Sequence, residues 1–353
     1  MILSIIKVFA PTAIAFFIGI SITPVLTHYL YKYRMWKKKA GKTSPDGRET
    51  PIFNKLHAHK ETGTPRMGGV IIWVSALLTI AVIWIISQLF PTEVTTKLDF
   101  LSRNQTWLPL FTLISASLLG LLDDILQIRE SKDGTYNGGL SFLNRLSIVM
   151  VLGFIGGWWF YTKLDVQAIH IPFWGELLVG AWLIPIFILV MAALFSSGVI
   201  DGLDGLSGGI MSIIFAAYAG IAFFQQQVDL AAFCAVISGG TLAFLWFNIP
   251  PARFYMSETG ILGLTTTLTV VAFLTESVLW LPVIAFPLLV TSGSVVIQLL
   301  SKKLRAGKKV FLVAPLHHHF EAIGWPPYKV VMRYWVISII TAIIGMILVL
   351  LDK

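Results

Sequence analysis

The stretch WLPLFTLISASLLGLLDD, residues 107–124, decides the class of fold. An uncharged apolar run from Trp107 to Leu122 ends in two adjacent carboxylates, Asp123 and Asp124. A charge is costly beside hydrocarbon, so the pair reads as the point where a helix leaves a bilayer. The arrangement recurs along the chain. Asp201 and Asp204, in Asp-Gly-Leu-Asp-Gly, follow an apolar run from Leu177 to Val199, and Glu258 precedes another from Gly260 to Leu279. Acids gathered at the mouths of apolar helices imply a partner of the opposite sign. A divalent cation bridging to phosphate is the natural candidate.

The rest of the chain agrees. Of 353 residues, 56% are hydrophobic and 12% charged, about half the charged fraction of an ordinary globular domain. About 20 apolar residues span a bilayer as a helix. Ten candidate spans follow: 3–30, 68–90, 107–122, 143–162, 177–199, 207–224, 230–247, 260–279, 280–300 and 331–351. Pro282 and Pro287 mark either a boundary or a kink near Trp280. No soluble domain fits between two spans, so residues 1–353 are expected to form one all-α transmembrane domain. The first span has no small-residue cleavage pattern and is expected to be retained. The single cysteine, Cys234, lies in a span, which excludes an intramolecular disulfide and leaves the redox compartment open.

The net charge of +8 is unevenly distributed. With ten spans, the segments 31–66, 123–145, 200–206, 248–259 and 301–333 fall on one side, with 21 of the 26 lysines and arginines. The positive-inside rule makes that side cytoplasmic and places both termini outside. The basic loops fit topology determination and attraction to anionic lipid headgroups. No recognised nucleic-acid module is present, so nucleic acid is not an expected partner. Every acid-rich segment named above falls on this same side, which points to one shared site in a cleft at the cytoplasmic face.

Four further features bear on chemistry. Adjacent residues on a helix point about 100° apart, so at most one of Asp123 and Asp124 directly ligates a given metal. Asp201 and Asp204 share a face if their segment is helical; a plain Asp-Gly turn between spans is the simpler reading. In Ala314-Pro315-Leu316-His317-His318-His319-Phe320-Glu321, three histidines offer phosphate hydrogen bonds, proton relay or metal binding, unless the loop is merely polar surface. In Asn248 to Gly260, Phe254 and Tyr255 beside Glu258 suit either a stacked base near a held cation or an interfacial aromatic belt. Thr64-Pro65-Arg66-Met67-Gly68-Gly69 reads only as a turn and a tight helix start.

Together these strings resemble the polyprenyl-phosphate N-acetylhexosamine-1-phosphate transferases, and within them the phospho-N-acetylmuramoyl-pentapeptide transferase branch. The resemblance covers nearly the whole length: residues 63–69, Asp123-Asp124, residues 201–206, Trp246-Phe247-Asn248, and above all residues 311–321 continuing to Gly324-Trp325-Pro326. It implies a magnesium-dependent reaction at the cytoplasmic face of the bacterial inner membrane. Undecaprenyl phosphate attacks the sugar-linked phosphorus of UDP-N-acetylmuramoyl-pentapeptide, UMP departs, and lipid I is formed for peptidoglycan. It also implies a homodimer. By the family pattern Asp123 and Asp124 serve as the polyprenyl-phosphate and proton-handling pair. Asp201 and His317 complete the candidate catalytic set, and Asp204 and Asn248 line the uridine-diphosphate cleft. Tyr255 stacks on uracil, Glu258 and Asp124 hold magnesium, His318 and His319 contact the sugar diphosphate, and Arg145 and Lys60 hold phosphate.

The chain departs from the pattern in places. The family shows Met-Gly-Asp-x-Gly-Ser where this sequence has Met256-Ser257-Glu258-Thr259-Gly260-Ile261. Phe195 and Gly198 replace asparagines, Ile200 stands where threonine is common, and Gln127 replaces a basic residue. A relative acting on UDP-N-acetylglucosamine is the alternative, opposed by the triple histidine. A transporter or channel predicts acids or bases at mid-span, yet apart from Lys7 and Glu276 near span ends the cores are almost free of them. The chain lacks His-Glu-x-x-His, which argues against a metalloprotease.

Overall fold

The computed structural model describes residues 2–37, 62–102, 105–129 and 139–352. In hydrocarbon a segment must satisfy its own backbone hydrogen bonds, so long apolar runs become helices. In chain order these are α1 (Ile2–Lys32), α2 (Val70–Leu89), the short α3 (Glu93–Leu98), α4 (Trp107–Ile128) and α5 (Phe142–Lys163). After a hairpin come α6 (Leu183–Ser196), α7 (Leu206–Phe224), α8 (Val228–Asn248) and α9 (Ser257–Leu274). The chain ends with α10 (Leu281–Ile284), α11 (Phe286–Leu304), α12 (Leu316–Ala322) and α13 (Pro327–Leu351). Among the described residues nine helices are long and apolar enough to cross a membrane, and ten spans result if α10 and α11 count as one.

Three details differ from expectation. A two-stranded antiparallel hairpin, β1 (Ala168–Ile171) with β2 (Gly175–Leu178), pairs Ala168 with Leu178 and Ile171 with Gly175. The fifth span was expected to begin at Leu177, but Leu177 and Leu178 lie in β2 and are exposed. Proline at 172 ends β1 and Gly175 takes a left-handed conformation (φ 94°), so the chain turns back before its helix starts. Near Trp280 both sequence readings have a place. Residues 275–277 separate α9 from the next span, and α10 and α11 then meet at 87° around Ala285. Each of these two helices carries its proline, Pro282 or Pro287, in the first turn, where no intrahelical N–H is lost.

The centre of the bundle is α8 and α9, the two most enclosed spans. α1, α2 and α7 pack on α8, α4 and α6 pack on α9, α5 lies outside α6, and α13 lies against α7. Outward faces remain apolar, as Ile337, Ile340 and Ile344 of α13 show, which suits a surface solvated by lipid tails. At the end opposite the acids, Asp352 ties the hairpin to the broken span. Its Oδ1 accepts from the Phe173 N–H at 2.5 Å, and its Oδ2 lies 2.8 Å from Trp280 Nε1 and 2.9 Å from His170 Nε2. Desolvation is the largest single effect and pushes this carboxyl up, but the three hydrogen bonds and the His170 charge together outweigh it and hold the group below the usual carboxylate range.

Candidate active site

Asp123 and Asp124 lie inside the last two turns of α4, which runs on to Ile128 rather than ending before them. Their divergence is as helical geometry requires. Asp124 is fully buried and faces α9 and the segment before α2. Its Oδ1 accepts from Arg66 Nε at 3.0 Å and forms an ion pair with a terminal nitrogen of the same guanidinium, also at 3.0 Å. Its Oδ2 accepts from the Thr259 N–H at 3.0 Å and the Thr259 hydroxyl at 2.6 Å. Asp123 looks the other way. Its oxygens take the Leu140 N–H at 2.5 Å, the Gln127 amide at 2.8 Å and Arg145 at 3.4 Å. The same Arg145 nitrogen forms an ion pair with Glu258 in the first turn of α9. Carboxylates near the C-terminus of α4 oppose its dipole, and the two guanidiniums supply the compensation; Glu258 sits at a helix N-terminus, where its charge is favoured.

Local folding explains how these groups meet. The segments before α2 and α9 are zipped together: Tyr255 N–H donates to the Pro65 carbonyl (2.9 Å), Gly68 N–H to Tyr255 (2.8 Å) and Gly69 N–H to Met256 (3.2 Å). This pairing carries Arg66 to the acids. Burial works against its charge, yet Asp124, Glu258 and Asp201 hold its pKa above the usual guanidinium value. Ser257 adopts φ 58°, a left-handed conformation, at the position where the family pattern has glycine.

Asp201 and Asp204 part company. A short 3-10 turn, Ser197–Ile200, gives way to turns rather than helix, so the two acids do not share a helical face. Asp201 accepts from the Ser207 hydroxyl at 2.6 Å and from the Ser257 N–H at 2.9 Å, which fixes it beside the first turn of α9. Asp204 is approached by the Ala252 N–H at 3.4 Å. Asn248, at the end of α8, is buried and braces two loops, accepting from Gly205 N–H and donating to the Phe254 carbonyl, both at 2.8 Å. Tyr255 is half-buried in the loop after Asn248.

The three histidines form part of a helix, α12, not an extended loop. His317 and His318 are buried with ring centroids 4.2 Å apart, while His319 turns towards Phe311 and accepts the Leu312 N–H at 3.2 Å. His318 Nδ1 lies 2.7 Å from Glu321; a carboxylate only accepts, so Nδ1 donates and Nε2 is turned the other way. That Nε2 and the His317 Nε2 close on Gly202, where any β-carbon would collide with both rings. Glycine at 202 is therefore what lets the histidine helix rest against the Asp201 turn.

Asp123, Asp124, Asp201, Glu258, Arg145, His317 and His318 thus belong to one centre, with Asp204, Asn248 and Tyr255 on its rim loops and His319 pointing aside. Lys60 lies outside the described residues. Sequence reasoning gave no role to Arg66 and Thr259, and named Gln127 only as a departure from the family pattern. The available signal was electrostatic: acids buried at span mouths need nearby cations, and Arg66 lies at the mouth of the second span. Among the described residues no three His, Cys, Asp or Glu side chains form a metal cage. Magnesium keeps several waters and takes one or two carboxylates together with substrate phosphates. The carboxylates around Arg145 are a donor set that fits it.

This fold and this centre define a polytopic membrane transferase. The glycosyl transferase family 4 pattern matches residues 106–276, the span of sequence from α4 to just past α9. The phospho-N-acetylmuramoyl-pentapeptide-transferase of Listeria innocua is 33% identical over 340 residues, 96% of this chain and 97% of that protein. Those of Geobacillus thermodenitrificans and another Geobacillus are 34% identical over 336 residues, 94% and 95% of the two chains, and 36% over 290 residues, 81% and 84%. The chain belongs to the phospho-N-acetylmuramoyl-pentapeptide-transferase family.

Proposed function

We propose that this protein transfers phospho-N-acetylmuramoyl-pentapeptide from its UDP-linked donor to undecaprenyl phosphate, releasing UMP and forming lipid I. The observation that carries the reading is the convergence of four distant segments through specific contacts. Thr259 holds Asp124, Asp201 holds Ser257, and Gly202 seats His317 and His318.

Two anions must meet in this reaction, and the residues divide the task. Glu258, with Asp123 beside it, would hold magnesium, which neutralises the donor diphosphate and the attacking phosphate oxygen when bound. Arg145 is shared between Glu258, held closely, and Asp123, held at 3.4 Å, and its Nε has no hydrogen-bond partner among the described residues. It is poised to turn to an incoming phosphate, and Lys60 would supplement it. Asp123 and Asp201 would handle the acceptor's proton, while Asp124, its oxygens taken by Arg66 and Thr259, fixes the first turn of α9. His317 and His318 present ring nitrogens to the sugar diphosphate, while His319 points aside and holds the Leu312 N–H. Tyr255 stacks on uracil, while Asn248 and Asp204 shape the cleft that takes the uridine diphosphate.

The bias of 21 of 26 basic residues to the acid side supports a cytoplasmic catalytic face, with both termini outside. A homodimer, operating as one transmembrane unit per chain, completes the proposal. The test uses the full chain in detergent with UDP-N-acetylmuramoyl-pentapeptide, undecaprenyl phosphate and magnesium. UMP release is expected; its absence with this donor, and its appearance with UDP-N-acetylglucosamine, would reject the muramoyl assignment.

A further inference from the structure

The two arginines of the centre are held in opposite ways. Arg145 gives one nitrogen to two carboxylates and keeps its Nε without a hydrogen-bond partner among the described residues. Arg66 puts two nitrogens on a single oxygen of Asp124, and its side chain is only 16% exposed. The other Asp124 oxygen is taken by Thr259, the residue after Glu258. Arg66, Asp124 and Thr259 therefore form one chain of contacts that ends at the backbone carrying Glu258. The loop carrying Arg66 is also fixed, because its backbone is paired with Tyr255 and Met256. Two of the Arg66 nitrogens are thus committed to one carboxylate, and little of the side chain is exposed. Its geometry suits holding another group still.

We propose that Arg66 is a positioning residue for the reaction. It locks Asp124 against the first turn of α9 and so sets where Glu258 stands, while Arg145 remains the arginine that meets phosphate. This rests on the phosphotransfer reading of the site, and its consequences differ from those of a phosphate-binding arginine. Loss of a positioning residue displaces reacting groups and lowers kcat. Loss of a phosphate ligand weakens donor binding.

The test compares wild type, Arg66→Ala and Arg66→Lys in the full-length detergent-solubilised protein. kcat and KM come from UMP release, and the donor's Kd from calorimetry without lipid acceptor. Arg66→Ala is expected to lower kcat about a hundredfold, the scale of an ångström of misplacement, with the donor Kd changed less than about threefold. Arg66→Lys retains the charge but not the fork, and it is expected to recover about tenfold of that loss. Should Arg66→Ala not fold, the lysine variant alone reads the kcat and Kd split. Turnover within threefold of wild type, or a Kd that weakens in step with kcat/KM, overturns the proposal. A melting-temperature cycle of Arg66→Ala, Asp124→Asn and the double variant reads the pair without any turnover. The double variant is expected to melt no lower than Arg66→Ala, and additive losses overturn the proposed lock. If wild type releases no UMP, the functional reading fails while this cycle still decides the Arg66–Asp124 contact.

Discussion

Replacing Gly120 by alanine tests how closely the acidic centre depends on the crossing of α4 and α9. Gly120 lies one turn before Asp124 on the same helix face, directly against the backbone of Glu258 and Thr259. A β-carbon there would overlap the Glu258 carbonyl and come within 2.7 Å of the Thr259 nitrogen, and backbone atoms cannot swing aside. Restoring ordinary contact, which begins at 3.4 Å, separates the helices locally by about an ångström, the kind of overpacking that costs roughly 1–3 kcal/mol. The same shift stretches the Thr259 contacts to Asp124, now 3.0 and 2.6 Å, towards the limit of hydrogen bonding. Displacement of reacting groups on this scale lowers turnover about a hundredfold. The assay is UMP release under saturating donor, paired with a melting curve in detergent. Gly293→Ala is the control, because a β-carbon at Gly293 meets nothing within 4 Å and gains the same helix propensity. A Gly120→Ala protein that turns over within threefold of wild type would refute the inferred tight crossing.

Other expectations follow from the same geometry. Asp201→Asn should remove most turnover while leaving a protein that melts cooperatively; retained activity would take Asp201 out of the centre. His317→Ala should reduce use of the muramoyl donor more than it lowers the melting temperature, and a purely thermal defect would favour a structural role for α12. Ser257→Gly should stabilise the protein by about 1 kcal/mol, seen as a higher melting temperature. It relieves a left-handed φ of 58° and removes a buried hydroxyl that has no hydrogen-bond partner among the described residues. Asp352→Asn should lower the melting temperature at pH 7. Because the native carboxyl is held below its unfolded value of about 4, its contribution is present above that pH and fades as pH falls through the native value. A difference between the two proteins that grew on acidification would contradict the clasp.

The sequence by itself determined that this is a helical membrane protein, and it singled out acids and histidines most of which the fold brings together. Hydropathy and charge are local properties, and a carboxylate at the mouth of an apolar run announces itself wherever the helix goes. It also required Asp123 and Asp124 to diverge, since neighbouring helical residues point about 100° apart, without saying which partner each would meet. The sequence could not reveal the hairpin at 168–178, because four-residue strands beside a span carry no periodicity distinct from the apolar run itself. At Asp201–Asp204 it offered both a helical face and an Asp-Gly turn, and it could not say that the turn sends the two acids to different partners. Only the tertiary structure decided which cation meets which anion. Arg66 and Asp124 are 58 residues apart and Asp124 and Thr259 are 135 apart. Their contacts depend on the angle and closeness at which α2, α4 and α9 cross, which the small residues at the crossing permit and the packing of the whole bundle fixes.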